Sequence, residues 1–367
     1  MTGVYVHVPF CQRKCPYCAF YSVCGGEDKK ALYLSSLMRE LDSAPSGIPA
    51  DTLYFGGGTP ALLGAERLSE IIDKFDKHFN FTSPEITVEC NPNSITADDL
   101  HILRSAGVNR LSVGVQSLDD GELRFLGRLH NASQAELTIL NALSAGFENI
   151  SADLMIGIKG QSGKSLSDSV LRLSELGVRH ISVYMIKVEQ GTAFDSTSVR
   201  ARLTDDDETA ELYLSVVSAC KENGFDHYEI SNFARPGFES RHNLKYWRCE
   251  EYLGFGPSAH SYFGGVRYRN ADTLEEYSAL PDHGRAVTDP SPDKAEEYIM
   301  LGLRLKEGIS LDKAVSLGFD PDRRIKALAY ADRLSRSGLC LTEDDRISLT
   351  AKGMLVSNSI ITDLIYG

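Results

Sequence analysis

Short runs of apolar and β-branched residues alternate with longer amphipathic stretches from residue 3 to about residue 230. The short runs predict strands at 4–8, 52–56, 85–90, 110–115, 150–157, 180–186 and 227–231. The stretches between them carry the apolar spacing of helices, as in 29–41, 65–79 and 96–107. Thr96 precedes two acidic residues and suits a capped helix start, and Gly107 suits the end of that helix.

Strands that alternate with helices of this length indicate βαβ units and a parallel sheet. Six or seven such units in about 230 residues favour an α/β fold with a partial TIM-like (β/α)6 barrel over a two-layer sandwich. A doubly wound open sheet is the alternative. Unusual residues follow the first four strands, as PFCQRKC, GGGTP, NPN and QSL. Because the carboxyl ends of parallel strands carry the chemistry in such folds, this layout predicts one shared active site.

The pattern changes after about residue 235, where glycine and aromatic residues are frequent and no clean period remains. The stretch DPSPD, at 289–293, has the composition of a linker, and the residues beyond it have helical periodicity. We therefore predict a barrel at 1–235, a glycine- and aromatic-rich segment at 236–290, and a mainly helical, winged-helix-like domain at 291–367.

The amino-acid composition limits the classes of protein to which this chain can belong. Hydrophobic residues make up 42% of the 367 residues and charged residues 24%, which is typical of a globular protein with a sizeable core. The net charge of -13 argues against a protein that holds a long nucleic acid by its phosphates. The N-terminus lacks the features of a signal peptide, and no apolar run approaches the roughly 20 residues of a membrane-spanning helix. A cytoplasmic protein is expected, and peripheral membrane contact stays open.

Three of the eight cysteines, Cys11, Cys15 and Cys18, fall within eight positions near the N-terminus. In a reducing compartment, clustered cysteines more often indicate metal binding or catalysis than disulfides. Free thiols are one interpretation, and a zinc site is another if Cys24 or a distant residue supplies the fourth ligand. A third is an iron–sulfur cluster whose three cysteines leave one iron open to a further ligand.

The spacing Cx3Cx2C, with Tyr17 before the third cysteine, resembles the signature of the radical S-adenosylmethionine (SAM) superfamily. That resemblance implies a [4Fe–4S] cluster held by the three cysteines, with SAM chelated at the open iron. The cofactor would supply the difficult chemistry, while the protein orients it and excludes water.

A glycine-rich stretch, YFGGGTP at 54–60, follows the second predicted strand. Consecutive glycines at a strand end let the backbone approach a ligand and offer N–H donors. Alone, the stretch fits a tight turn equally well. One βα unit after the cysteines, it resembles the motif that binds the methionyl amino group of SAM, and we expect Gly57, Gly58 and Thr59 to take part.

Four polar residues are dispersed over the following units: Glu89, Gln116, Arg128 and Asp153. The aspartate lies in an apolar run and needs partners if it is buried. Singly, each residue fits a structural salt bridge or cap as well as a ligand contact. Together they offer acceptors for ribose hydroxyls and a cation for a carboxylate, which SAM would need.

Longer segments resemble one family within that superfamily. They are YVHVPFCQRKCPYCAF, FGGGTP, VECNP, RLSVGVQS, LGRLH, YEISNFARPGFESRHNLKYW and ISLTAKG. Spread over nearly the whole chain, they resemble the coproporphyrinogen oxidase-like family, which contains the oxygen-independent coproporphyrinogen III oxidase and heme chaperones. The resemblance implies that residues at two sets of positions contact SAM: Tyr5, Gly57 and Glu89 the cluster-bound SAM, and Gln116, Arg128 and Asp153 a second SAM in the oxidase. Whether this chain binds a second SAM stays open.

Two features separate the branches of that family. The oxidase has a further cysteine two positions beyond the third ligand, where this chain has Phe20. It also lacks the motif His-Asn-x-x-Tyr-Trp, which resembles the heme-binding signature of the chaperones and is present here as His242, Asn243, Tyr246 and Trp247. An imidazole can ligate heme iron, and aromatic rings can cover a porphyrin face. The alternative is a loop packed on the barrel with Trp247 in the core.

The resemblance therefore implies a heme-binding, heme-trafficking protein that uses a [4Fe–4S] cluster, SAM and heme. Its partners would be heme or a porphyrin, heme-accepting proteins and an electron donor, with no nucleic acid. The alternative is the oxidase, which converts two propionates of coproporphyrinogen III to vinyl groups, and Phe20 argues against it. A radical SAM enzyme that modifies RNA is disfavoured by the acidic balance. A non-catalytic zinc scaffold would contain zinc and no iron.

Overall fold

A computed structural model describes residues 1–367. The strands are Thr2–Val8 (β1), Pro49–Gly57 (β2), Asn80–Cys90 (β3), Arg110–Gln116 (β4), Asn149–Ile156 (β5), His180–Met185 (β6), Asp226–Glu229 (β7), Asn232–Ala234 (β8), Tyr252–Phe255 (β9), His260–Phe263 (β10), Val266–Arg269 (β11), Ala286–Asp289 (β12), Ile309–Ser310 (β13), Cys340–Glu343 (β14) and Arg346–Leu349 (β15).

The helices are Glu27–Ser43 (α1), Ala65–His78 (α2), Ala97–Ser105 (α3), Asp120–Phe125 (α4), Ala132–Ser144 (α5), Gly163–Glu175 (α6), Thr197–Arg200 (α7), Asp206–Glu222 (α8), Arg241–Trp247 (α9), Leu274–Ala279 (α10), Lys294–Gly302 (α11), Leu311–Ser316 (α12), Pro321–Arg336 (α13), Ala351–Leu355 (α14) and Ser357–Tyr366 (α15). Two short 3₁₀ helices span Pro60–Leu63 and Pro281–Gly284.

The predicted α/β fold is confirmed. Strands β1 to β6 lie side by side in chain order and pair in parallel, with at least one helix between each consecutive pair. The seventh predicted strand, 227–231, does form, as β7, but it pairs antiparallel with β8. β8 in turn pairs antiparallel with β6, so the hairpin extends the edge of the sheet instead of adding a seventh parallel unit.

Alternation along each parallel strand divides the side chains between two environments. In β1 the side chains of Val4, Val6 and Val8 are fully buried in the main core, whereas Tyr5 and His7 point to the opposite face of the sheet. The same period of two recurs in β4, where Leu111, Val113 and Val115 are buried and the intervening residues face the other way. One face of the strands therefore packs on the helices, and the other is free to build a site.

The predicted helix boundaries near residue 100 are confirmed. Thr96 caps α3, because its hydroxyl accepts a hydrogen bond from the Asp99 backbone N–H while the Asp99 carboxylate accepts one from the Thr96 N–H. The helix ends before Gly107, whose φ of 97° is a left-handed conformation that glycine adopts without strain.

The segment 236–290, which has no clean period, contains α9, α10 and four short strands that extend the sheet beyond β1. β9 pairs in parallel with β1, and β10, β11 and β12 follow antiparallel. Each of these strands has only four residues, which is too short to give a readable alternation.

A buried carboxylate anchors this extension to α1. Glu40 accepts hydrogen bonds from the Gly256 N–H at 2.8 Å and the Tyr277 hydroxyl at 2.6 Å through one oxygen. Its other oxygen accepts one from the Asn270 amide at 2.7 Å. Since a buried carboxylate must be hydrogen-bonded, this network fixes the loop between β9 and β10 against the first helix.

The C-terminal part has its own core of 17 buried residues, drawn from residues 295 to 365. Five helices, α11 to α15, surround a three-stranded antiparallel sheet with the order β13-β15-β14. No helix of the structure is long and apolar enough to cross a membrane.

Candidate functional site

A cavity of about 140 Å³ opens at the carboxyl ends of the parallel strands. It is lined by ten of the residues that the sequence predicts to bind a cluster or SAM: Cys11, Cys15, Cys18, Gly57, Gly58, Thr59, Glu89, Gln116, Arg128 and Asp153. They come from loops and strand ends spread over more than 140 residues of chain. The structure therefore brings these dispersed residues together.

The three cysteines lie on the loop after β1, and all are free, partly exposed thiols. The loop is closed by backbone hydrogen bonds from Cys11 N to Val23 O at 3.0 Å and from Val23 N to Pro9 O at 2.7 Å. Burial raises the pKa of the Cys11 and Cys18 thiols, so without a metal they hold their protons. Metal ligation would displace those protons.

The thiols suit an iron–sulfur cluster better than a single ion. No three His, Cys, Asp or Glu side chains of the chain converge on one metal position. A cluster does not require such convergence, because each cysteine ligates a different iron. Arg128 Nη1 lies 3.4 Å from Cys15 Sγ, and the Thr59 hydroxyl lies 3.9 Å from Cys11 Sγ. Such donors stabilise negative charge on thiolate sulfur.

The glycine loop lies tightly against the cysteine loop. Gly58 N and Thr59 N donate to Val8 O and Phe10 O at 2.8 and 2.7 Å. A Cβ on Gly58 would lie 2.6 Å from Phe10 O, and one on Gly57 would lie 2.5 Å from the His7 ring. Glycine is thus required here by space, and the close approach leaves the backbone open to a ligand in the cavity.

Two carboxyl groups face the cavity, and few hydrogen bonds offset the cost of burying their charge. Glu89 accepts from the Tyr54 hydroxyl at 2.7 Å and from Gly57 N at 3.2 Å, yet burial raises the pKa of Glu89 to about 7. Burial likewise raises the pKa of Asp153 to about 6, although Ser112 donates to it at 3.4 Å. A cationic ligand would favour the charged form of both groups.

Arg128 supplies a buried cation. Its Nη1 also donates to the Tyr17 hydroxyl at 3.3 Å, and its Nη2 donates to Gly114 O at 3.0 Å and to the Asn91 side chain. Its buried Nε has no partner within the protein. The guanidinium lines the cavity, where its charge suits a carboxylate ligand.

Gln116 ends β4 with a φ of 66°, which is unusual for a residue other than glycine. The pairing register with β5 shifts between Val113 and this residue. A strained backbone at a strand end is a frequent feature of binding sites, and here it places the glutamine at the cavity wall.

Tyr5 lines a second cavity, of about 460 Å³, that adjoins the first. Gly57 and Glu89 line both cavities, so the two form neighbouring parts of one larger region. The Tyr5 hydroxyl contacts His7 Nδ1 at 3.1 Å, at the boundary between them.

The predicted heme motif is not assembled on one surface. His242 is buried, with Nδ1 at 2.8 Å from the Thr52 hydroxyl and Nε2 at 2.8 Å from the Tyr246 hydroxyl. Burial lowers the pKa of His242 to about 3, so the ring is neutral and both nitrogens are engaged. Trp247 lies near the Arg304 guanidinium at 5.9 Å, and Asn243 is half-buried.

Of that motif, only Tyr246 lines the second cavity. The structure thus separates four residues that the sequence places together.

Several site residues were missed from the sequence. Asn91 donates to the Thr59 hydroxyl at 2.9 Å and contacts Arg128, and the motif NPN after the third strand was the available signal. Ser112, which lines the cavity, and Tyr54, which donates to Glu89, lie inside strands, where nothing in the local sequence distinguishes a site residue from a core residue.

The chain is similar to known proteins of one family. The model of the radical SAM superfamily matches residues 5–173, and the model of the HemN C-terminal domain matches residues 289–356. The heme chaperone HemW of Bacillus subtilis (strain 168) is 36% identical over 373 residues, which cover 98% of each chain. HemW of Lactococcus lactis subsp. lactis (strain IL1403) is 32% identical and covers 98% of this chain and 96% of its own.

The solved structure of coproporphyrinogen III oxidase (HemN) from Escherichia coli superposes with a TM-score of 0.83. It covers 100% of this chain and 90% of that one, at 23% identity, and this likeness concerns the fold alone.

Proposed function

We propose that this chain is a heme chaperone. The premise is that it belongs to the radical SAM superfamily and, with the HemW proteins, to its coproporphyrinogen oxidase-like family. Membership of the superfamily implies a [4Fe–4S] cluster and SAM. The further role that we propose is to bind heme and pass it to acceptor proteins. The name of these relatives, heme chaperone HemW, supports it.

The observation that carries the proposal is the convergence of the cysteine loop, the glycine loop and the buried polar residues on one cavity. Cys11, Cys15 and Cys18 would hold the cluster. Such a cluster, when bound and reduced, would supply an electron for the reductive cleavage of the SAM sulfonium. An electron donor is therefore a partner of this site.

The remaining residues of the cavity would orient SAM. The half-buried backbone of Gly57 and Gly58, with Thr59 beside it, lines the cavity and suits an amino group, and Glu89 adds a carboxylate. The Arg128 guanidinium, which lines this cavity, suits the ligand's carboxylate. Asp153 and Gln116 lie on the same wall and suit ribose hydroxyls. Tyr5, in the adjoining cavity, closes the side nearest His7.

The second candidate function is the oxidase, because the solved structure of Escherichia coli HemN covers 100% of this chain with a TM-score of 0.83. Phe20, whose side chain is 69% exposed at the cavity rim, occupies the position where the oxidase has a further cysteine. We therefore expect the cavity to receive a porphyrin without decarboxylating it.

One anaerobic experiment tests both functions. The full chain is reconstituted with iron and sulfide, then titrated with hemin in one sample and incubated with SAM, reductant and coproporphyrinogen III in another. We expect a saturable heme spectrum and no vinyl product. Absence of saturable hemin binding would overturn the chaperone, and steady product formation would establish the oxidase instead.

A further inference from the structure

The inner face of the parallel strands, opposite the helices, is polar. In a TIM-type barrel that face is ordinarily filled by branched apolar side chains. Here each strand from β2 to β6 places at least one buried polar side chain there, between residues that belong to the main core: Thr52, Thr87, Arg110, Ser151 and His180. The interior of the sheet therefore holds polar groups and a charge directly beneath the first cavity.

That charge belongs to Arg110, the largest fully buried side chain of the protein, which is only 1% exposed. Its Nε and Nη1 have no hydrogen-bond partner, and the carboxylates that act on it, Glu85 foremost and also Asp153, do so at longer range. The nearby histidines, His180 and His242, are neutral because burial lowers their pKa. A guanidinium stays charged in a protein, and a buried charge without close partners costs stability. Packing alone does not account for an arginine here.

The strand register places Arg110 next to the two carboxyl groups of the first cavity. Residues two apart on a strand share a face and lie roughly 7 Å from each other, so Arg110 is the inner-face neighbour of Ser112 on β4. Ser112 donates to Asp153 at 3.4 Å and is the strand partner of Glu89. Because β4 runs toward the cavity, Arg110 lies one step below both carboxyl groups, on the side away from the ligand.

Few other charges act on these two carboxyl groups. The other ionisable side chains near them are Tyr5, Tyr54, Cys90, Arg128, Tyr184 and Tyr246. The tyrosines and the cysteine are uncharged at neutral pH, because phenols and thiols ordinarily ionise above it. Arg128 acts from the cavity side, where it contacts Cys15. Burial raises the pKa of Glu89 and of Asp153, and Arg110, acting from below, limits that rise.

We propose that Arg110 is a positioning residue for SAM, which acts through Glu89 and Asp153 by keeping both carboxyl groups able to ionise when the sulfonium enters the cavity. This inference rests on the SAM-binding part of the proposed function. On binding, the carboxyl proton passes to solvent, and the carboxylate faces the cationic ligand with the guanidinium behind it. The contribution of Arg110 to affinity therefore depends on pH. It is large where the carboxyl groups are protonated in the free protein and vanishes where they are already ionised.

The test is a calorimetric titration of the reconstituted full chain with SAM at pH 6.5 and at pH 8.5. In Arg110→Met the carboxyl groups should ionise about one pH unit higher, so this variant should bind SAM about fivefold or more weakly at pH 6.5 and within about twofold of the wild type at pH 8.5. Arg110→Lys keeps the charge and should follow the wild type at both. Lys245→Met is the matched control, because that buried cation pairs with Asp51 and Glu250 and does not line the cavity. Its ratio of affinities between the two pH values should equal that of the wild type.

A second measurement needs no cofactor. In urea unfolding of the unloaded chain, the free energy of unfolding of the wild type should stop falling at about pH 7, where Glu89 ionises in the folded state. In Arg110→Met the decline should continue to about pH 8, because the folded state keeps the proton longer. Circular dichroism checks that each variant is folded. If Arg110→Met does not fold, Arg110→Gln carries the same comparison.

Three results would overturn the inference. Arg110→Met could weaken SAM binding by the same factor at both pH values, it could match the wild type in affinity and in unfolding, or neither neutral variant could fold. The first and third would assign the arginine a structural role, and the second would assign it none. All three leave SAM binding by the wild type intact. Absence of SAM binding by the wild type would instead overturn that part of the proposed function, and the unfolding profiles would still test Arg110.

Discussion

Two regions of the molecule differ in how the separation of residues along the sequence corresponds to their separation in the structure. The residues of the first cavity are dispersed between Cys11 and Asp153, yet they line one space. The motif HNLKYW is contiguous, yet its side chains diverge. His242 packs into the interior, Trp247 lies near Arg304, and only Tyr246 reaches a cavity.

The difference follows from the two kinds of secondary structure. The carboxyl ends of parallel strands meet at one edge, so residues that follow successive strands converge whatever their separation along the chain. The seven residues of α9 instead turn through about 100° each, which spreads neighbours around the axis. His242 and Tyr246, four residues apart, share a face and bond to each other, while the residues beside them face elsewhere.

The largest effect is expected from removing one of the three cysteines that converge on the first cavity. Replacing any one of Cys11, Cys15 or Cys18 with alanine should reduce the iron bound after reconstitution to less than about a quarter, since each thiolate holds its own iron. Cys24→Ala is the matched control, because this thiol is exposed at the end of the same loop but lies outside the cavity. Iron and sulfide analysis measures the effect. Equal losses in Cys24→Ala would mean that the cluster is not confined to the three cysteines.

The second prediction concerns the divergent motif. His242→Ala should lower the free energy of unfolding by about 2–4 kcal/mol, because it leaves a cavity and removes partners from the buried Thr52 and Tyr246 hydroxyls. Asn243→Ala, next in the chain, removes a half-buried side chain with no hydrogen bond and should cost less than about 1 kcal/mol. Urea unfolding of both variants distinguishes them. Similar small losses would show that the histidine is not a structural residue.

The sequence predicted the fold and the first cavity well because both depend on strand ends. The alternation of apolar runs located all six parallel strands. Because Glu89 and Asp153 lie in two of these strands, they were expected near the other residues of the cavity. What the sequence could not predict depends on three-dimensional packing. Neighbours distant in the chain decide which face of α9 is buried, that β7 pairs antiparallel and that Tyr54 contacts Glu89.

The third prediction separates two reasons for glycine at the site. Gly57 has a φ of 106° and Gly160 a φ of 101°, so alanine is strained by about 1–3 kcal/mol at either position. Only at Gly57 would the new Cβ also meet a buried side chain, the His7 ring, whereas nothing lies within 4 Å at Gly160. Gly57→Ala should therefore lower the free energy of unfolding by about 1–3 kcal/mol more than Gly160→Ala. Equal losses would show that His7 moves aside freely.

The last prediction is a dependence on pH, and it tests whether the carboxyl groups of the first cavity respond to protons and to the ligand together. The folded-state pKa of Glu89, about 7, lies above the ordinary glutamate value because of burial. The fold therefore keeps a proton that the unfolded chain loses above about pH 4.5, and the free energy of unfolding falls as the pH rises from there to about 7. Glu89→Gln removes this contribution and should flatten the decline.

The affinity for SAM should depend on the same proton of Glu89, but it should rise with pH where the free energy of unfolding falls. SAM carries a sulfonium charge, so it favours the ionised form of Glu89, and below pH 7 its binding must expel the proton at a cost of about 1.4 kcal/mol per pH unit. The affinity of the reconstituted protein for SAM should therefore rise by up to about tenfold between pH 6 and 7 and level off above pH 7. Calorimetry in two buffers of different ionisation enthalpy would show proton release in the wild type. Glu89→Gln should release less, retaining only the part due to Asp153, whose pKa of about 6 places its transition lower. An unchanged slope in that variant would mean that the carboxylate, although it lines the cavity, does not sense the ligand.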